Sequence, residues 1–146
     1  MAVRTSGSEA PASIAPVLPA VALGGALGAS ARYGLAQLVH VHPGTFPWAT
    51  FVTNVSGSFA LGLVLIVLIR RRPGSRYVGP FLATGLLGAF TTYSTFAVET
   101  DLLVRDGHVP LALAYAALSP AIGCLAVWAG LALGRRLAGP RSGGGR

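Results

Sequence analysis

The sequence has little charge and no lysine. Charged residues make up 10% of its 146 residues and apolar residues 53%, whereas a soluble domain carries roughly 25% charged residues. All eleven basic residues are Arg, and only four residues are acidic. A soluble chain this short would need more charge to cover its surface. The shortage of charge therefore indicates a membrane protein.

Cysteine is almost absent as well. The single cysteine, Cys124, has no second cysteine in the chain for an intramolecular disulfide. There is no CxxC pair and no cysteine–histidine ligand set, which excludes a structural zinc site. No combination of residues supports catalysis, so we expect a protein that is not an enzyme.

Four stretches contain no charged residue: 10–31, 33–69, 77–98 and 107–134. Each can hold about 20 residues of helix, enough to cross roughly 30 Å of hydrocarbon. We therefore predict an all-α membrane protein whose four transmembrane helices cover about 17–39, 48–69, 79–104 and 110–133. The predicted division is a flexible tail over 1–16, a transmembrane domain over 17–134 and a basic tail over 135–146.

The first predicted span has an alternative interpretation. Residues 17–29 could be the apolar part of a signal peptide, with Ala29-Ser30-Ala31 as its cleavage site, which would leave three spans. The segment before it holds only Arg4 against Glu9, a weak positive region for a signal peptide. We therefore favour a retained helix.

Arginine is concentrated at the ends of the predicted helices. Nine of the eleven Arg lie in the two tails and the second loop, which share one side of a four-span protein. We therefore expect a multi-pass protein of the cell membrane. The positive-inside rule places the arginine-rich side, with both termini, in the cytoplasm. Such clusters contact anionic lipid. They form no stripe interleaved with aromatics, so we expect no nucleic-acid partner despite a net charge of +7.

Polar residues in the second span lie on one helical face. Thr50, Thr53, Asn54 and Gly57 follow the i, i+3, i+4, i+7 spacing. An Asn amide in hydrocarbon must find a hydrogen-bond partner or line a wet path. On this pattern alone, a helix–helix hydrogen bond and a pore-lining role are both open for Asn54.

The third span contains a sequence that is poorly suited to a continuous helix, GLLGAFTTYSTF at residues 85–96. Two glycines followed by a β-branched Thr-Thr pair are poor helix formers. A break would free backbone carbonyls, which a membrane tolerates only where they face protein, water or an ion. We predict that the third helix is broken mid-membrane around a binding site, as in channels and transporters. A kinked packing helix is the alternative.

The remaining polar residues favour a small anion. Tyr115 and Ser119 share a face of the fourth span, although a headgroup tyrosine and a serine bonded to its own helix would also explain them. Arg32 could snorkel to the interface or attract anions at a pore mouth. Glu99 and Asp101 end the third span, and no acidic residue lies deeper. Proton-coupled carriers and cation pores typically place carboxylates at depth.

Three motifs, taken in order, resemble the small bacterial fluoride channels called Fluc or CrcB. They are GGALGASARY at 24–33, TFVTNVSGSF at 50–59 and GAFTTYSTF at 88–96. The similarity runs from Ala22 to Leu133. It implies a channel that exports fluoride passively and lowers cytoplasmic fluoride, built as an antiparallel dimer with two pores.

The resemblance also implies the roles of individual residues. A structural sodium ion at the dimer centre would be held by the backbone carbonyls of Gly88 and Thr91, and Arg32 would lie in the vestibule. The first ring of the third motif, usually Phe in the family, is Tyr in this sequence. The fluoride pore would be lined by Asn54, Tyr93, Phe96, Tyr115, Ser119 and Thr50.

Two points stay open at the level of the sequence. The arginine bias predicts a single orientation in the membrane, and an antiparallel channel would then be a heterodimer with a homologous subunit of opposite topology. A homodimer would instead require that the chain insert in both orientations. The alternative functions are a small four-helix multidrug exporter and a non-transporting membrane subunit. The exporter needs a glutamate in span one, and 10–31 has no charged residue. The subunit would not need a broken helix.

Overall fold

The computed structural model describes residues 14–39, 41–71 and 75–137, and it contains no strand among them. A single 3-10 turn at Ala15–Val17 precedes the first helix. The helices are α1 (Leu18–Leu38), α2 (Trp48–Arg71), a π-helical segment (Pro80–Leu87), α3 (Gly88–Phe90), α4 (Tyr93–Arg105) and α5 (Val109–Leu137). The π-helical segment, α3 and α4 together form the third span of an all-α fold.

Most of the two predicted tails, residues 1–13 and 138–146, lies outside the described residues. The boundary at the carboxyl end differs from the predicted one. Helix α5 continues past residue 133 to Leu137 and carries Arg135 and Arg136 in its last turn. Basic side chains are favourable there because the carboxyl end of a helix carries a partial negative charge.

Three stretches of the described residues are long and apolar enough to cross a membrane: Trp48–Arg70, Pro80–Arg105 and Val109–Leu137. Helix α1 is also long, at 21 residues, but its second half contains the polar residues Arg32 and Gln37. Large apolar side chains are exposed on every long helix, for example Leu27, Leu65 and Trp128. This pattern is expected of a surface that faces lipid or a partner chain.

The helices form two closely packed pairs. Helix α2 packs along α5, where a Cβ added to Gly62 would meet the carbonyl oxygen of Val127 and one added to Gly130 would meet that of Phe59. Helix α1 packs along the π-helical segment in the same way, through Gly24 and Gly28. Small residues at these positions let the backbones touch, as the four-residue spacing of glycines in membrane helices indicates.

The two ends of the bundle differ in charge. Arg70 Nη1 donates to the carbonyl oxygen of Arg135 at 3.4 Å, which joins the ends of α2 and α5. Helix α5 has 29 residues and is therefore about 40 Å long, so its beginning lies at the opposite end. There Arg105 pairs with Asp101 at 2.7 Å. We call these the arginine-rich end (Arg70, Arg135, Arg136) and the arginine-poor end (residues 41–47 and 105–109).

Candidate functional site

The third span is interrupted at two threonines. Thr91 has φ −78° and ψ 157°, and Thr92 has φ −147° and ψ 123°, so both are extended between α3 and α4. Thr92 Oγ1 then accepts a hydrogen bond from the backbone N–H of Thr95 at 3.2 Å. A threonine with this geometry caps the new helix. Helical structure therefore stops and restarts within the hydroxyl-rich motif.

Asn54 of α2 closes this interruption. Its Nδ2 donates to the carbonyl oxygen of Thr92 at 2.9 Å, and its Oδ1 accepts from the N–H of Thr92 at 2.8 Å. Of the two roles that the sequence left open for Asn54, the helix–helix hydrogen bond is therefore formed. An amide nitrogen carries two protons, and the bond to Thr92 uses one of them.

The interruption also changes the hydrogen bonding of two backbone N–H groups, so that they no longer donate to the carbonyls four residues earlier. In a continuous helix, the N–H groups of Thr92 and Thr95 would donate to the carbonyls of Gly88 and Thr91. They donate instead to Asn54 Oδ1 and Thr92 Oγ1. Carbonyl oxygens freed in this way are the type of ligand that channels use for monovalent cations. The donor set at Gly88 and Thr91 thus fits the sodium ion that the sequence resemblance implies.

In the part of the chain that the structure describes, no three His, Cys, Asp or Glu side chains lie together in a group that could hold a metal ion.

An open groove of about 440 Å³ runs between α2, the third span and α5. Most of its wall is apolar, and the polar groups are concentrated where the third span is interrupted. It brings together six of the nine residues that the sequence predicted for the site, namely Asn54, Gly88, Thr91, Tyr93, Phe96 and Ser119.

The groove contains two neighbouring aromatic rings and a buried serine hydroxyl that has no hydrogen-bond partner among the described residues. The rings of Tyr93 and Phe96 lie 6.0 Å apart between centroids, and Tyr93 is 81% exposed. Ser119 is buried, and its Oγ has no hydrogen-bond partner within the described residues. The bond to its own helix that the sequence allowed for is therefore not formed. A buried hydroxyl without a partner is costly unless a ligand satisfies it.

Tyr115 and Thr50 meet at a carboxylate. Thr50 Oγ1 donates to Glu99 Oε1 at 2.8 Å, and the Tyr115 hydroxyl donates to Glu99 Oε2 at 2.8 Å. Tyr115 is fully buried and Glu99 half-buried. The Tyr115 ring also lies 5.0 Å from that of Phe96. This cluster of Thr50, Glu99 and Tyr115, the Glu99 cluster, connects α2, α4 and α5.

Glu99 is the site residue that the sequence analysis did not identify. It was interpreted there only as marking the end of the third span. A usable signal was present, because Glu99 follows Phe96 by three residues and so shares its helical face. Its two partners could not be identified from the sequence, since they belong to other helices.

A second cavity, of about 230 Å³, contains the remaining predicted residue, Arg32. Thr50 also lines it, as do Thr92 and Thr95. Thr92 borders the large groove as well. The interrupted segment therefore borders two spaces, the large groove with its aromatic rings and the smaller cavity with Arg32. Thr50 of the Glu99 cluster lines the smaller cavity, and Phe96, whose ring packs against Tyr115, lines the groove.

Comparison with known proteins gives a consistent result. Residues 19–131 match the family described as CrcB-like protein, Camphor Resistance (CrcB). The fluoride-specific ion channel FluC 1 of Streptomyces coelicolor is 44% identical over 123 residues, covering 84% of this chain and 80% of that protein. FluC 1 of Mycobacterium bovis is 46% identical over 120 residues, covering 82% and 91%.

A longer relative matches equally well over the shared region. The fluoride-specific ion channel FluC 3 of Streptomyces avermitilis is 50% identical over 119 residues, and the chain spans 58% of that protein. The family match itself extends from the beginning of α1 into the last turns of α5. The chain therefore belongs to the CrcB-like family.

Proposed function

We propose that this protein is a fluoride-selective channel that lets fluoride leave the cell passively and so lowers cytoplasmic fluoride. Its relatives in Streptomyces and Mycobacterium bear the name fluoride-specific ion channel. The observation that carries the proposal is the interrupted third span, closed by Asn54 and flanked by uncharged donors. A purely structural subunit would not need this interruption. A small multidrug exporter would need a glutamate in its first span, and residues 10–31 contain no charged residue.

Fluoride would exchange its hydration for protein donors in steps. In the groove these are the positive ring edges of Tyr93 and Phe96, the second N–H of Asn54 and the unpaired hydroxyl of Ser119. Each of these groups is neutral. Such sites bind an anion firmly enough to admit it and weakly enough to release it.

The Glu99 cluster needs a different account, because its carboxylate is an acceptor. The hydroxyls of Thr50 and Tyr115 each carry one proton, and both point at Glu99. We infer that a passing fluoride borrows one of these donors, which returns to Glu99 when the ion leaves. The carboxylate keeps the hydroxyls satisfied between ions and prevents fluoride from being held too tightly.

The groove favours assembly as a dimer. It is open along one side, and Tyr93 at its edge is 81% exposed although it belongs to the proposed pore. A second, antiparallel subunit would cover the ring and complete the wall. Gly88 and Thr91 line the same groove, so a sodium ion held by their carbonyls would supply positive charge beside the path of an anion.

The orientation follows from the arginine distribution. We propose that the arginine-rich end, with both termini, lies in the cytoplasm against anionic lipid. An identical partner in the opposite orientation would have to insert against the bias of its own arginines. The proposed assembly is therefore a homodimer if the chain inserts both ways, and a heterodimer with a homologous subunit of opposite topology if it does not.

The test is fluoride efflux from liposomes that contain the purified chain and potassium fluoride, with a potassium ionophore and a fluoride electrode. We expect rapid fluoride release and no comparable chloride release from matched potassium chloride liposomes. Protein-free liposomes are the control for leakage. Equal release of both anions would contradict selectivity, and release at the protein-free rate would contradict the channel itself, unless adding a homologous subunit restores it.

A further inference from the structure

The loop between α1 and α2 is fixed against the α4–α5 turn at the arginine-poor end. The Thr45 Oγ1 and N–H both donate to the carbonyl oxygen of His42, at 2.7 and 3.2 Å. Gly44 has φ 74°, and a Cβ at this position would collide with the ring of His108. The left-handed backbone and the close approach both require glycine here. The loop therefore has a defined shape, stabilised at two points.

This shape directs Phe46 onto Tyr115. The two ring centroids are 5.2 Å apart and the planes meet at 81°, an edge contact. Phe46 is itself held by Phe51, at 5.2 Å and 74°. The ring of Phe96, from α4, lies 5.0 Å from that of Tyr115. Tyr115 is thus fully buried and packs against one ring from the loop and one from α4.

The enclosure bears on the position of the phenol oxygen. Spinning the Tyr115 ring about its own axis leaves the hydroxyl in place, because the oxygen lies on that axis. Swinging the ring about the Cα–Cβ bond would carry the oxygen away from Glu99. Tyr115 is fully buried against the rings of Phe46 and Phe96, so a swing of its side chain would have to displace packed neighbours. Tight packing of this kind restricts the side chain to one rotamer.

We propose that Phe46 is a positioning residue for fluoride permeation, holding the Tyr115 hydroxyl where it can alternate between Glu99 and the ion. The inference rests on the proposed channel function. Phe46 itself need not touch fluoride. Its contribution is that the donor is already in place when the ion arrives, which lowers the barrier to exchange.

The test compares fluoride efflux for two variants. Phe46→Leu keeps apolar bulk but loses the aromatic ring, and Phe46→Tyr keeps the ring. We expect Phe46→Leu to slow efflux about tenfold, the effect of about 1.4 kcal/mol in a barrier. Phe46→Tyr should restore the wild-type rate. Trp48→Leu is the matched control, since Trp48 packs on Phe46 and Phe51 at the exposed edge of the same cluster, and it should change little.

A double-mutant cycle separates positioning from general stability. If Phe46 acts through the phenol, Phe46→Leu should change the remaining rate by less than about twofold in a Tyr115→Phe background. A full tenfold loss in that background, or a wild-type rate for Phe46→Leu alone, would overturn the inference and leave the channel function intact. Absence of efflux from every wild-type assembly would overturn the proposed function and this inference with it.

Assembly of each variant is checked by size-exclusion chromatography and thermal unfolding. If Phe46→Leu does not assemble, Phe46→Met gives the same comparison with a more adaptable side chain. The expected result for it is the same tenfold loss that disappears in the Tyr115→Phe background.

Discussion

The two halves of the third span pack by different means. Before the interruption, the π-helical segment meets α1 through backbone: a Cβ on Gly24 would collide with the carbonyl of Phe81 and one on Gly28 with that of Leu86. After it, α4 meets its neighbours through polar side chains. Glu99 accepts hydrogen bonds from α2 and α5. The first half is therefore held by close backbone packing, and the second half carries the polar side chains that could contact an ion.

The difference explains why one span can be both fixed and functional. Backbone packing at glycines leaves little room for adjustment, because a carbonyl cannot rotate out of the way as a side chain can. Hydroxyl–carboxylate contacts can exchange partners without moving the helices. The interruption at Thr91 and Thr92 separates the rigidly packed half of the span from the half whose hydrogen bonds can exchange. The predictions below test each half, beginning with the largest expected effect.

Asn54→Asp should abolish fluoride permeation, lowering efflux by more than about 100-fold. An ionised carboxylate can accept from the N–H of Thr92 but cannot donate to its carbonyl, so two oxygens would face each other across the interruption. The new charge would also repel an anion. Efflux from liposomes measures the effect. Wild-type efflux from an assembled Asn54→Asp variant would remove Asn54 from the path.

Gly28→Ala should destabilise the first half by about 2 kcal/mol, because the added methyl collides with the Leu86 carbonyl and overpacking of this kind costs about 1 to 3 kcal/mol. Gly25→Ala is the matched control on the same helix, since nothing lies within 4 Å of its Cβ. Thermal unfolding in detergent compares the two. Equal stability of both variants would mean that the backbone contact contributes nothing.

Phe96→Ile should slow efflux about tenfold or more, because Ile keeps apolar bulk but removes the positive ring edge and the contact with Tyr115. The measurement is the initial rate of fluoride release at equal protein density. A wild-type rate in a correctly assembled Phe96→Ile variant would show that no ring is needed at this position.

Part of the fold can be predicted from local features of the sequence. The four-helix order follows from charge-free stretches, and the position of the interruption follows from two glycines and a run of hydroxyl residues. Such features are local, so a sequence displays them directly. The four-residue spacing of Gly24 and Gly28 is equally local, and in membrane helices such a spacing permits the close approach that α1 makes.

Other features depend on partners that are distant in the chain. The segment Pro80–Leu87 is π-helical and packs against α1. Its own composition does not predict π-helical hydrogen bonding. The Glu99 cluster needs Thr50 and Tyr115, each on a different helix. A carboxylate near the end of a span looks like a boundary residue until its donors are known. The contact of Phe46 with Tyr115 belongs to the same class.

Thr50→Val should slow efflux about three- to tenfold, because it removes one of the two donors to Glu99 without changing shape, and one hydrogen bond is worth about 0.5 to 1.5 kcal/mol. Thr53→Val is the matched control. Thr53 lines the same cavity, but its hydroxyl donates to the carbonyl of Ala49 in its own helix. A larger loss in Thr53→Val than in Thr50→Val would contradict the role given to the Glu99 cluster.

Tyr93→Phe should have the smallest effect, leaving efflux within about twofold of wild type or slightly faster. The change removes the hydroxyl and keeps the ring edge that we assign to fluoride. Tyr93 is 81% exposed and its ring stands 6.0 Å from that of Phe96, so the phenol oxygen is free to hold water, which the ion would have to displace.

The comparison with Phe96→Ile makes the Tyr93 result decisive. If ring edges carry the ion, losing a ring must cost far more than losing a hydroxyl, and the two variants should differ by about tenfold. Tyr93→Ile completes the set, because it should behave like Phe96→Ile and not like Tyr93→Phe. Should Tyr93→Phe be inactive while Phe96→Ile conducts normally, the ion would be using the phenol as its donor. The assignment of ring edges in the second half of the span would then be wrong.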